Sequence, residues 1–184
     1  MSKYYLVLPP RESFSDSASG AIAIVIQQFH HRNDQLIIYG GKQTKSTVYK
    51  NFMSVTPKFS NLFGLTKSYA RKISRAIPDC RSTYIEVHNR PVIFSILRSR
   101  HSNSKITLYL HNDPQTIRGL RTKRERQIVL DKCDGIICVS DYLRERFLED
   151  LESADLTKVH TVFNAIRPQA VNHTSKSKSI LYVG

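Results

Sequence analysis

Short apolar runs that stop on polar residues, separated by segments of helical periodicity, recur along this chain and leave few folds open to it. "YYLVLP" (residues 4–9), "QLIIYG" (35–40), "STYIEVHN" (82–89), "KITLYLHND" (105–113), "DGIICVS" (134–140) and "KVHTVFN" (158–164) each have strand length and β-type composition. Between them lie "GAIAIVIQQFHH" (20–31), with Ser17 or Ser19 as a cap, "LTKSYARKISRAIP" (65–78), residues 92–100 after Pro91, "TKRERQIVLDKC" (122–133) and "DYLRERFLEDLES" (141–153), capped by Ser140 or Asp141. Strands that alternate with helices predict an α/β fold: a mostly parallel, Rossmann-like sheet with helices on both faces. At 184 residues the chain holds one such domain with a real core, spanning residues 1–165. Residues 166–179 shift to Pro, Asn, Thr, Ser and Lys, the chemistry of a linker, and "ILYVG" (180–184) then begins a fresh strand. That strand is expected to open a second domain.

In open sheets of this kind ligands bind beyond the carboxyl ends of the strands. Polar residues gather at those predicted ends: His88-Asn89-Arg90, His111-Asn112-Asp113, Ser140 and Asn164, with Gly20 at the first helix start. A histidine there hydrogen-bonds a sugar hydroxyl or acts as acid or base, and the His-Asn pair occurs twice. A glycine at a helix N-terminus lets a phosphate approach backbone N–H groups. The sequence contains neither GxGxxG nor GxxxxGK[ST], which excludes the dinucleotide fingerprint and the P-loop. No Ser-His-Asp order or carboxylate pair competes with the histidines, and no metal-ligand spacing is present. Cys80, Cys133 and Cys138 are odd in number and lack CxxC spacing, which fits a reducing cytoplasm. The start has no secretory h-region, and no apolar run approaches bilayer-spanning length.

Charge adds a partner class. Lys and Arg number 28 against 15 Asp and Glu, a formal net charge of +13, which calls for a polyanionic neighbour. From Lys42 to Arg81 nine basic residues face a single acid, Asp79. Within that region residues 65–77 form a basic amphipathic helix with apolar positions every four residues, and nucleic acid, an anionic membrane face or a phosphorylated substrate would each satisfy the charge.

Taken in order, "IEVHNRP", "LYLHNDPQTIRG", "CDGIICVSDYLRERF", "KVHTVFNAI" and "ILYVG" resemble the N-terminal half of retaining GT-B glycosyltransferases of family 4. The likeness is greatest to bacterial enzymes of lipopolysaccharide and surface-polysaccharide assembly. That resemblance implies transfer of a sugar, with retention, from a UDP- or GDP-sugar to a lipopolysaccharide-core or other cell-surface glycan or lipid acceptor. It implies no cofactor and no catalytic metal. Residues 1–165 become the acceptor-side domain and 180–184 the first strand of a donor-binding domain, so that residues 1–184 alone are expected to be inactive. His111 is implied to bond the donor sugar beside the reacting centre. Gly20 and Ala21 stand at the glycine loop that meets the donor diphosphate, with alanine in place of the usual second glycine. His88, Asn89, Asn112 and Asp113 are implied to line the acceptor side. The expected location is the cytoplasm, at the inner face of the inner membrane. Two other readings stay open: a basic nucleic-acid-binding α/β domain, and another GT-B enzyme such as an inverting transferase or sugar-nucleotide epimerase.

Overall fold

The computed structural model describes residues 2–14, 20–30, 35–43, 51–56, 64–151 and 155–165. The expected cap at Ser17 or Ser19, the basic residues Lys45, Lys50 and Lys58, the linker over 166–179 and the strand over 180–184 lie outside the described residues. Nine strands are described: β1 (Lys3–Val7), β2 (Ser13–Phe14), β3 (Leu36–Gly40), β4 (Lys42–Gln43), β5 (Phe52–Ser54), β6 (Thr83–His88), β7 (Lys105–Leu110), β8 (Gly135–Cys138) and β9 (Val159–Thr161). Five helices accompany them: α1 (Ala21–His30), α2 (Leu65–Ala76), α3 (Pro91–Arg98), α4 (Lys123–Lys132) and α5 (Asp141–Leu148). Seven strands form one sheet in the order β5-β3-β1-β6-β7-β8-β9, with every pair parallel. β2 and β4 pair separately.

The chain begins at the middle of this sheet, builds outward through β3 and β5, then returns to the other side of β1 and builds β6 to β9. The reversal places a topological switch point at β1, where the loops after β1 and β6 leave in opposite directions and a crevice opens.

Local chemistry fixes the element ends. Ile77 precedes Pro78, which disfavours helical backbone, and α2 accordingly stops with Ile77 extended (φ −91°, ψ 129°). Pro91 starts α3, where a missing N–H costs nothing. Thr122 and Glu125 form a reciprocal capping box at α4, and the Ser140 hydroxyl accepts from the Leu143 N–H at α5. Two features were not legible in the pattern: the edge strand β5 and the short β2–β4 pair.

Alternation along the strands separates two faces. One carries Tyr5, Val7, Ile85, Val87, Ile106, Leu108, Leu110, Ile136 and Cys138, packed with Tyr69 and Ile73 of α2, Phe94 and Leu97 of α3, Val129 of α4 and Phe147 of α5. This is the main core. The opposite face is covered by α1 only over β1 and β3, where Leu6, Leu8, Leu36 and Ile38 meet Ile22, Ala23 and Ile26. Across β6 and β7 that second face carries Tyr84, Glu86, His88, Thr107 and Tyr109 instead. Helices do lie on both sides of the sheet, with the described ones divided four to one.

Two polar anchors serve the core. The Tyr69 hydroxyl donates between the carbonyls of Leu8 (3.0 Å) and Tyr39 (3.1 Å), tying α2 to the ends of β1 and β3. Arg126 is 2 % exposed, and its guanidinium donates to the Phe147 (2.9 Å) and Glu149 (2.7 Å) carbonyls at the end of α5. A cation there satisfies carbonyls that the helix leaves unpaired and opposes its dipole.

Candidate strand-end site

His88 ends β6 and His111 follows β7, both on the polar side of the sheet. His88 is the register partner of Tyr109, and His111 stands two residues further on, so the two imidazoles are diagonal neighbours. They meet as Nδ1 of His88 to Nε2 of His111 at 2.9 Å. Their rings are 26° from parallel, and the Tyr109 ring lies against both, 5.0 Å from His88 and 4.9 Å from His111 between centroids. The other nitrogen of His88, Nε2, is sealed from solvent and lies 3.4 Å from a carboxylate oxygen of Glu86 without hydrogen-bond alignment. Burial, then the neighbouring His88, pushes the His111 imidazole down to about 3, against a smaller opposing pull from Glu86. It is therefore neutral at ordinary pH. Burial, helped by the Glu86 charge, raises the Tyr109 phenol to about 12.

The asparagines form the frame around this pair. Asn89 takes left-handed backbone (φ 53°), which asparagine tolerates better than most residues. Its N–H donates to the Tyr109 carbonyl (2.8 Å), its side-chain oxygen accepts from the His111 N–H (3.1 Å), and its amide donates to the Asn112 side chain. Asn89 is 5 % exposed and ties the ends of β6 and β7 together, whereas Asn112 is exposed. Asp113 accepts from the Gln115 N–H (2.9 Å) and from Arg146 (3.3 Å), which caps the short turn Pro114–Thr116 and joins it to α5.

A cleft of about 510 Å³ opens at the switch point, lined by Pro9, Glu12, Ala21, Ile22, Asn89, Arg90, Asn112, Thr116, Ile117 and Arg118. Beside it a second hollow of about 420 Å³ shares Arg90, Ile117 and Arg118 and adds Lys67. Of the residues the sequence singled out, Ala21, Asn89 and Asn112 line the main cleft, Gly20 precedes Ala21, and His88 and His111 do not line it but directly precede Asn89 and Asn112. Asp113 is turned into the α5 contact, Ser140 caps its helix, and Asn164 is exposed beyond β9.

Gly20 is explained by a close approach. A Cβ there would lie 2.1 Å from the Glu12 carboxylate, which accepts from the Ala23 N–H (3.3 Å) at the start of α1. An anionic group thus already sits where helix N–H groups favour one. Sequence reasoning missed Glu12 and Glu86. Nothing local signals Glu12, but Glu86 shares a strand face with His88 by simple alternation.

Residues 23–170 match the model of Glycosyltransferase Family 4. The chain belongs to that family. The YtcC protein of Bacillus subtilis (strain 168) is 34% identical over 76 residues, which cover 41% of this chain and 18% of YtcC. HepE of Anabaena, solved in complex with UDP-glucose, superposes with a TM-score of 0.57 at 10% identity, over 89% of this chain and 44% of HepE. The α,α-trehalose 6-phosphate synthase of Burkholderia multivorans gives 0.53 at 14% identity, over 83% of this chain and 42% of the synthase. The matched region is thus less than half the length of each of these proteins. The architecture is that of an N-terminal GT-B half, as the resemblance in the sequence had implied. Among the described residues no group of three or more His, Cys, Asp or Glu is placed to hold a metal ion, and no helix is long and apolar enough to cross a membrane.

Proposed function

We propose that this family 4 domain is the acceptor-facing half of a retaining glycosyltransferase, which moves a sugar from a UDP- or GDP-sugar to a lipopolysaccharide-core or related cell-surface glycan. The observation that carries the reading is the cleft at the switch point, with the His88–His111 pair next to its Asn89–Asn112 wall. HepE, a protein of the same fold, was solved with UDP-glucose, which supports a nucleotide-sugar donor. In this reading His111 bonds the donor sugar, Gly20 and Ala21 face the diphosphate, and His88, Asn89, Asn112 and Asp113 shape the acceptor side. Leaving-group charge is met by protein cations and helix N–H groups rather than by a metal, and Arg90 and Arg118 stand at the cleft for that role.

The domain division also belongs to this proposal: residues 1–165 as the acceptor-side unit, 166–179 as linker, and a donor-binding unit from 180 onward. So does a resting place on the cytoplasmic membrane face. The apolar residues of α2, Tyr69, Ala70 and Ile73, are spent inside the domain, which leaves Lys67, Arg71, Lys72 and Arg75 outward. Attraction to anionic lipid or a phosphorylated acceptor then acts through charge rather than insertion.

The test is sugar transfer by the full-length protein from labelled UDP- and GDP-sugars to a lipopolysaccharide-core acceptor, beside residues 1–184 and a His111→Ala variant. Transfer by the full-length protein alone, reduced about 100-fold or more in His111→Ala, is expected. No donor consumption, with tight binding of RNA or DNA by residues 1–184, would overturn the proposal.

A further inference from the structure

One proton lies between His88 and His111, and the structure contains enough to say which ring owns it. An ionised carboxylate only accepts hydrogen bonds. Glu86 stands 3.4 Å from Nε2 of His88, an atom that meets no solvent and no other partner among the described residues. A lone pair on Nε2 would face that negative charge in a buried setting, which is strongly unfavourable. The proton of His88 is therefore on Nε2. With a single N–H on each ring, Nδ1 of His88 is an acceptor, and the bond of 2.9 Å is donated by Nε2 of His111.

We infer that Glu86 is a positioning residue that locks both histidines as Nε2–H tautomers, so that His111 presents the lone pair of Nδ1 and accepts a hydrogen bond from a substrate hydroxyl. This deepens the functional reading above and rests on it for the identity of that hydroxyl as a sugar's. No described residue bonds Nδ1 of His111. The groups on the same face of the sheet as the pair are Tyr84 and Glu86 on β6, Lys105, Thr107 and Tyr109 on β7, Ile137 on β8 and His160 on β9, with Leu6 and Tyr4 on β1. Among the described residues Glu86 is thus the carboxylate within reach, and Lys105 is engaged over the Tyr84 ring, 5.8 Å from its centroid. The neutrality of His111 down to about 3 agrees with a ring that holds one proton, not two.

The deciding experiment is long-range proton–nitrogen NMR on the 184-residue chain with ¹⁵N-labelled histidine at neutral pH. His88 and His111 should both appear as Nε2–H tautomers, and Glu86→Gln, whose amide offers His88 either a donor or an acceptor, should lower the Nε2–H to Nδ1–H ratio of His111 by about tenfold. An Nδ1–H tautomer for His111 in the unaltered chain, or a ratio unmoved by Glu86→Gln, would overturn the inference. In the full-length transferase Glu86→Gln should lower kcat by about 10- to 100-fold at little changed KM, the range known for outer partners that orient metal-ligating histidines. Tautomers as expected with no transfer by any form would sink the functional reading and leave the proton order standing. Transfer with the wrong tautomers would do the reverse.

Discussion

The two faces of the β6–β7 pair differ by one residue of register and by almost everything else. Ile85, Val87, Ile106 and Leu108 point to one side and are fully or almost fully buried beneath α2, α3 and α4. Glu86 and Thr107, both half-buried, and His88 and Tyr109, both buried, point to the other, and His88 alone among them carries a buried side-chain atom without a hydrogen bond. The same strands thus serve as scaffold on one face and as chemistry on the other. Dispersion and apolar burial hold the backbone of the second face in place from behind, so its polar side chains need not supply stability. They are free to be placed for hydrogen bonding at the strand ends.

That division is broken most severely from the apolar side. Ile85→Ala removes a side chain that is 2 % exposed from the middle of β6 and is expected to cost about 2–5 kcal/mol, measured by urea unfolding of the 184-residue chain. Because the loss acts through packing, the tautomers of His88 and His111 in the surviving folded fraction should stay as they are. A cost near zero would mean that the helix-covered face does not carry the fold.

Much of this was legible in advance, for reasons that differ between elements. The run "TYIEVH" announces both faces by alternation, and Thr122 with Glu125, or Ser140 before "DYLRERF", announces a helix start through side-chain hydrogen bonds that act within four residues. β5 escaped because three residues, Phe52–Ser54, are too few to show a period, and its pairing with β3 is decided by tertiary contact. The placing of four helices on one face also escaped, since periodicity says which side of a helix is apolar and not which face of the sheet receives it. At the site, His88 and His111 were visible as strand-end residues, but their contact depends on the His88–Tyr109 register. The Glu12 carboxylate at the start of α1 depends on the loop that follows β1. Neither leaves a trace in local sequence.

Acid should weaken the fold in part through the polar face. His111 ordinarily titrates near about 6.5 but in the folded chain is held down to about 3. Above the ordinary value the ring is neutral in both states and its full contribution is present. As pH falls below about 6.5 the unfolded chain takes up a proton that the folded chain refuses, so stability declines until the folded ring also titrates near about 3. His101, buried and likewise pushed down, adds a decline of the same sign, and so do protonating carboxylates such as Asp79, whose hydrogen bonds hold it low. His111→Gln isolates the first contribution: its urea midpoint should fall less steeply than that of the unaltered chain between about pH 6.5 and 4. Parallel slopes would place the acid sensitivity elsewhere in the molecule.

The smallest effect should come from the open face at the start of the same strand. Tyr84 is half-buried, its ring 5.1 Å from that of Tyr4 on β1 and 21° from parallel. Such a cross-strand aromatic pair contributes about 0.2–1 kcal/mol, and threonine retains the strand preference that tyrosine has. Tyr84→Thr is therefore expected to lower stability by no more than about 1 kcal/mol, although it adjoins Ile85 and alters more atoms than Ile85→Ala does. The comparison of these neighbours is the sharpest form of the two-face distinction, because backbone, strand and sheet position are shared and only the direction of the side chain differs. A Tyr84→Thr loss as large as that of Ile85→Ala would show that the polar face is packed as firmly at the start of β6 as the apolar one, and the two-face distinction would not hold there.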